Sequence, residues 1–297
     1  MKIGSHVSNK GDEMLVGSVI EALSYNANSF MVYLGAPQNT YRKEIDRLNI
    51  PEMIRLIKEN NIKAEDIIIH APYIVNLAQS DETKRSFAVE FISKEVQMTN
   101  ELGAKYIVLH PGAHVKMGEE VGLDNIVKSL KEVLENTKDT NVSIALETMA
   151  GKGTELGYKF EHLKYMIDNV KSDRLVVCYD TCHTNDAGYD IVNDYEGVLQ
   201  EFDELIGLDK IKVIHLNDSK NERGARKDRH ENFGFGTIGF DALMQFVNDE
   251  RFKDVPKILE TPYVKGEKQD FPPYKYEIEM IKSGEFNKNL ISEIIGE

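Results

Sequence analysis

IIIH at residues 67–70 and YIVLH at 106–110 decide the fold, because the event they share recurs along the chain. A short β-branched or aliphatic run ends in a side chain that binds metals. SIALE ends in Glu147, LVVCYDTCH carries Asp180 and His183, KVIHLND carries His215, and KILE ends in Glu260. KIGSH near the start ends in His6, and Asp228 and His230 follow closely after His215. A lone histidine after an apolar strand is ordinarily a satisfied rim residue. Repetition at strand after strand instead lines one end of a parallel-strand fold with imidazoles and carboxylates.

Working outward, strands are expected at 2–7, 29–34, 67–70, 106–110, 143–147, 175–180, 212–216 and 257–260. Their nearly unbroken hydrophobicity is that of parallel strands covered on both faces. Between them lie amphipathic stretches such as EMLVGSVIEALSYN, LDNIVKSLKEVLENT and KFEHLKYMIDNV. Apolar residues there recur at the helical spacings of three and four. Pro51 suits a first helical turn, and Gly103 a helix C-terminus. Strands alternating with helices predict an α/β fold, a single (β/α)8 TIM barrel spanning residues 1–297. The long connections after strands 4 to 7 then rim the face where barrel active sites form.

At 297 residues, with 41% hydrophobic and 29% charged side chains, the composition is that of a soluble globular protein. No apolar stretch approaches the roughly 20 residues of a membrane span. MKIGSHVSNKGDE lacks the apolar core of a signal peptide, so a cytoplasmic location is expected. Cys178 and Cys182 flank Asp180 and read as packing residues. A net charge of −14 by itself speaks against nucleic acid, whose binders usually carry a basic surface. However, NERGARKDRH gathers Arg223, Arg226, Lys227 and Arg229 beside proposed ligands, and divalent ions would neutralise several carboxylates. Charge alone leaves the partner open.

Nine side chains stand out: His70, His110, Glu147, Asp180, His183, His215, Asp228, His230 and Glu260. Five imidazoles and four carboxylates without a thiolate suit zinc in a hydrolytic site better than manganese or iron. One catalytic zinc takes about three protein ligands, so nine imply more than one ion. Two ions are served by seven or eight ligands; three, with one bridging carboxylate, use all nine. Asp180 and His183 are expected to flank a turn. Asp228-x-His230 is expected to place two ligands on one side of an extended segment. No serine or cysteine stands in a plausible triad.

HAPYIVNLA (70–78), VVCYDTCH (176–183) and HLNDSKNERGARKDRH (215–230) resemble endonuclease IV, the zinc-dependent apurinic/apyrimidinic endonucleases, and the likeness spans essentially the whole chain. The resemblance implies three zinc ions per chain. His70 and His110 hold the first, and Glu147 bridges it to the second. Asp180, His215 and Glu260 complete the second site, and His183, Asp228 and His230 hold the third. It implies a monomer acting on double-stranded DNA at abasic sites, cutting 5′ to the lesion to leave a 3′-hydroxyl and a 5′-deoxyribose phosphate, and trimming 3′ ends. Glu147 would be the pivotal catalytic residue.

Tyr73 matches the family's inserting tyrosine. The loop LGAPQNTYRK carries Gln38 and Asn39 where other members place an arginine, with Arg42 farther on. Lys220, Arg226 and Lys227 complete the expected DNA contacts. The competing reading is a metal-dependent sugar isomerase or epimerase of the xylose-isomerase-like barrels, which needs no third cluster. Of the remaining polar residues, His6 is expected beside the site, His114 in its loop, Asn217 orienting ligands or touching phosphate, and His162 structural.

Overall fold

Alternation along each strand sorts its side chains between two cores, one inside the barrel and one under the helices. The computed structural model describes residues 1–296, so Glu297, the last residue of the expected 1–297 domain, lies outside the described residues. The strands are β1 (Ile3–Ser5), β2 (Phe30–Val32), β3 (Ile67–His70), β4 (Tyr106–Leu109), β5 (Ser143–Glu147), β6 (Leu175–Asp180), β7 (Ile211–His215) and β8 (Lys257–Leu259). They form one parallel sheet in the order β1-β8-β7-β6-β5-β4-β3-β2. A parallel bridge between His6 and Met31 closes it, and the Val7 N–H donates to Met31 O at 2.9 Å. Gly4 is required at this seam, because a Cβ there would lie 1.7 Å from Ser29 O. The architecture is the expected TIM barrel.

All eight expected strands form. The largest differences are in β1 and β2, whose ladders are shorter than the expected 2–7 and 29–34. Helices α1 (Leu15–Ser24), α2 (Ile50–Glu59), α3 (Glu82–Glu101), α4 (Glu119–Asn136), α5 (Phe160–Val170), α6 (Thr181–Ala187), α7 (Tyr195–Leu205), α8 (Phe240–Asn248), α9 (Tyr274–Ser283) and α10 (Leu290–Gly296) surround or extend the barrel. Among the described residues no helix is long and apolar enough to cross a membrane.

The barrel interior holds Met31, Ile68, Val108, Ala145, Val176, Cys178, Val213 and Ile258. Two residues farther along their strands come Tyr33, His70, His110, Glu147, Asp180, His215 and Glu260. An apolar layer is therefore overlaid by a polar one at the C-terminal mouth, as the period of two demands.

One irregularity matters for the site. Val177 pairs with Ile211, but Cys178 pairs with Val213, so Lys212 is an extra residue in β7. This bulge turns Ile211 outward into the helix-facing core, although strict alternation from His215 would place it inside. It also brings Asp180 level with His215.

Candidate metal centre

Glu147, at the end of β5 and 1% exposed, is the hub. Its Oε2 lies 3.3 Å from His70 Nε2 and 3.1 Å from His110 Nε2. Its Oε1 lies 2.9 Å from His215 Nδ1 and 3.3 Å from His183 Nδ1. The two oxygens thus face opposite sets of imidazoles. Glu260 Oε2 stands 3.0 Å from His215 Nδ1, with Asp180 Oδ2 at 3.7 Å. His183 Nε2 lies 3.0 Å from Asp228 Oδ1, and His230 Nε2 is 3.6 Å from the same oxygen.

His70, His215 and Glu260 have donor atoms within 4.8 Å of one another, and three further groups meeting that distance together take in all nine side chains. They are His70, His110 and Glu147; Glu147, Asp180, His215 and Glu260; and His183, Asp228 and His230. Glu147 belongs to two of them. Cys182 also comes within this distance of Asp180 and His230, whereas Cys178 lies in the apolar layer below. Burial pushes the Cys178 thiol up to about 12, which leaves it a packing residue.

Main-chain carbonyls fix several imidazoles. Because a carbonyl only accepts, Nδ1–H of His70 donates to Ala71 O at 2.7 Å, that of His183 to Thr148 O at 2.9 Å, and that of His230 to Glu260 O at 3.1 Å. In each ring Nε2 is thereby turned toward the shared pocket, an arrangement typical of metal-binding histidines. His230 Nε2 is buried with no hydrogen-bond partner. An imidazole nitrogen so placed among carboxylates is suited to binding a divalent cation.

The electrostatics agree. Burial works against the Glu147 charge, yet the imidazoles of His215 and His110 hold its carboxyl well below the usual range. Asp228 falls to about 2 against the same opposition, through its bond to His183. Conversely, His183 and His215 rise well above an ordinary imidazole despite burial, drawn up by neighbouring anionic groups. Carboxylates and imidazoles thus shift one another in opposite directions, each favouring the other's charge. Metal ions bind imidazole only in its deprotonated form, so a divalent ion here would compete with protons.

Two local expectations need correction. Asp180 and His183 do not flank a turn. Asp180 caps α6, its Oδ1 accepting the His183 N–H at 2.7 Å, so the pair sits one helical turn apart. TCHTNDA is too short and lacks the apolar stripe by which a helix is recognised in sequence. Nor is Asp228-x-His230 an extended segment: Asp228 has φ 55°, in the left-handed region, while His230 pairs with Ser219 in a short antiparallel ladder. The two ligands converge through that twist.

Thr148 and Tyr33 were not singled out in sequence, whereas His6 and Asn217 were expected at the site. Thr148 accepts from His183 through its carbonyl and receives the Asp180 N–H at Oγ1, 2.8 Å away. The Tyr33 ring lies 4.9 Å from that of His70 and 5.2 Å from that of His6, which places His6 beside the site. Asn217 donates to Asp180 Oδ2 at 2.8 Å and accepts the Glu260 N–H at 2.8 Å, so it orients two of the nine residues. The residue two places after an interior apolar position would have found Tyr33; nothing local marks Thr148. His114 Nδ1 accepts the Gly118 N–H within its own loop. His162 faces Glu119 at 3.3 Å and accepts from Gly157 N, away from the nine residues.

Around the mouth, Tyr73 is 55% exposed, and Gln38, Asn39, Lys220, Arg226 and Lys227 are at least partly exposed too. The Arg226 guanidinium lies 4.7 Å over the Tyr158 ring, and Lys220 Nζ is 3.8 Å from Glu231. Arg42 is committed elsewhere: it donates to Glu95 at 2.6 Å and to Tyr41 O at 2.7 Å, and lies over Phe91.

Residues 19–284 match the family model described as xylose isomerase-like TIM barrel. A protein of Bacillus licheniformis named probable endonuclease 4 is 54% identical over 297 residues, covering 99% of each chain. The crystal structure of endonuclease IV from Thermus thermophilus superposes with TM-score 0.80 at 27% identity, covering 96% of this chain and 98% of that one. A D-tagatose 3-epimerase-like protein, at 22% identity and TM-score 0.70 and covering 99% of each chain, shares the barrel alone. The chain belongs to the endonuclease IV family of the xylose isomerase-like TIM barrels.

Proposed function

We propose that this chain is an apurinic/apyrimidinic endonuclease that hydrolyses the phosphodiester 5′ to abasic sites in duplex DNA. It leaves a 3′-hydroxyl and a 5′-deoxyribose phosphate, and trims blocked 3′ ends. The observation carrying this reading is Glu147, whose two oxygens face separate imidazole sets while a third set, His183, Asp228 and His230, stands alongside. Full-length similarity to proteins named endonuclease 4 supports the same assignment. A sugar isomerase has no use for the third set, and the epimerase-like neighbour speaks for the fold only.

Three zinc ions suit the nine residues, distributed as the three groups above. When bound, zinc supplies Lewis acidity and positive charge, making hydroxide available near neutral pH and steadying the departing oxygen. The protein's own residues do the rest. Glu147 holds the two halves of the site at a fixed separation. The carbonyls of Ala71, Thr148 and Glu260 lock imidazole orientation, and Asn217 fixes two carboxylates. Tyr73, Gln38 and Asn39 on one side and Lys220, Arg226 and Lys227 on the other engage the duplex around an everted abasic nucleotide. Residues 1–297 act as one monomeric catalytic unit in the cytoplasm.

Purified protein assayed for zinc content and for nicking of duplexes with a single abasic analogue tests this reading. About three zinc ions per chain and chelator-sensitive incision 5′ to the lesion are expected. Epimerisation of a ketose with no incision overturns it.

A further inference from the structure

The loop that delivers Asp228 and His230 is held by a buried carboxylate that belongs to none of the candidate metal-binding groups. Asp186, in α6 three residues beyond His183, is 0% exposed. Its Oδ2 accepts the Asp228 main-chain N–H at 2.9 Å and Asn221 Nδ2 at 2.9 Å. Its Oδ1 accepts the Ser219 hydroxyl at 2.6 Å, with Asn185 Nδ2 at 3.4 Å. All four donors are uncharged. The Asp186 carbonyl accepts the Arg226 N–H at 2.9 Å, and the Asn185 carbonyl the Gly224 N–H at 2.9 Å.

Those bonds fall where the loop is strained. Arg226 and Asp228 both lie in the left-handed region, φ 52° and 55°, which a Cβ disfavours. Such a conformation persists only where its surroundings over-determine it. Asp186 grips the backbone at both residues, through its carbonyl at Arg226 and its carboxylate at Asp228. Ser219, whose hydroxyl it also holds, is the ladder partner of His230. One residue thus ties together α6, which carries His183, and the two loop positions that carry Asp228 and His230.

We infer that Asp186 is the positioning residue of the third metal group, setting the affinity of that group alone. The inference rests on the three-ion reading above. Partners that orient metal ligands typically account for about 10- to 100-fold in metal affinity. In Asp186→Ala the Asp228 N–H loses its acceptor and the loop can leave the left-handed region. In Asp186→Asn the amide oxygen still accepts from Asp228 and Asn221, while the amide N–H donates to Ser219, whose hydroxyl turns to accept.

The test measures zinc per chain for full-length wild type and both variants across a buffered series of free zinc. Asp186→Ala should retain two ions like wild type and take up the third only at about 10- to 100-fold higher free zinc. Incision should be restored over the same range, and Asp186→Asn should stay near wild type. Should Asp186→Ala not fold, Asp186→Glu, which displaces the carboxylate by one methylene, takes its place with the same expected selective loss. Three ions of wild-type affinity in the substituted protein overturn the inference alone, as does equal loss of the third ion in Asp186→Asn. A wild-type protein holding fewer than three ions overturns the three-ion reading and this inference with it.

Discussion

Glu147 Oε1 lies 2.9 Å from Nδ1 of His215, while its other oxygen turns to His70 and His110. One carboxylate from β5 therefore joins imidazoles at the ends of β3 and β4 to one from β7, across the barrel mouth. Glu147→Gln is nearly isosteric and leaves the apolar layer beneath untouched, but it replaces one oxygen by an amide nitrogen that cannot bind a cation. Misplacing a reacting group by about 1 Å can cost on the order of 100-fold, and weakened metal activation costs more. Single-turnover cleavage of abasic duplex at saturating zinc should slow at least about 1,000-fold. A rate within about tenfold of wild type would remove Glu147 from its bridging role.

Tyr73 offers an exposed ring on the connection after β3, free of the metal groups. Tyr73→Ala should leave zinc content and melting temperature unchanged. Stacking on a base is worth about 1–3 kcal/mol, so kcat/KM on abasic duplex should fall roughly 5- to 150-fold. An unaltered kcat/KM would make it an ordinary rim aromatic.

Despite the net charge of −14, affinity for duplex DNA should fall steeply as salt rises, because phosphate contacts release counterions. Arg226→Ala with Lys227→Ala should weaken binding about equally on all sequences and flatten the salt dependence. Titrations of labelled duplex at several salt concentrations measure both quantities, and a slope identical to wild type would place these two residues off the DNA path.

Glu277, buried in α9, accepts from Thr261 Oγ1, Asn232 Nδ2 and the Phe233 N–H, and burial raises its carboxyl to about 7. Its unfolded value is about 4.3. The folded state thus holds the proton more tightly, so this contribution to stability is complete below the unfolded value and is lost as pH rises through about 7. Glu277→Gln keeps two acceptor contacts at its oxygen and offers Thr261 a donor without the ionisation. Melting curves from about pH 4 to 9 should show the variant gaining on wild type as pH rises, with the gap levelling above about 8. A gap independent of pH would mean that Glu277 does not titrate in this range.

The sequence by itself determined which side chains stand at the barrel mouth. Ile68 before His70, Val108 before His110 and Ala145 before Glu147 follow the strand period of two, so an interior apolar residue dictates that the residue two places on faces the same way. That rule needs no partner strand, and it made the barrel and its polar rim legible.

Grouping the ligands lay beyond it, because it depends on register between strands and on backbone outside them. The extra residue Lys212 sets Asp180 beside His215, and a bulge has no marker in the pattern of β7. The Asp180 cap made a short helix of what reads as a loop. At the left-handed turn at Asp228 the main-chain N–H is accepted by Asp186, distant in sequence. Thr148, just past the end of β5, meets His183 and Asp180 only where β6 and α6 pack beside it. These features rest on contacts between segments that only the closed barrel brings together, and for that reason the tertiary structure alone decided them.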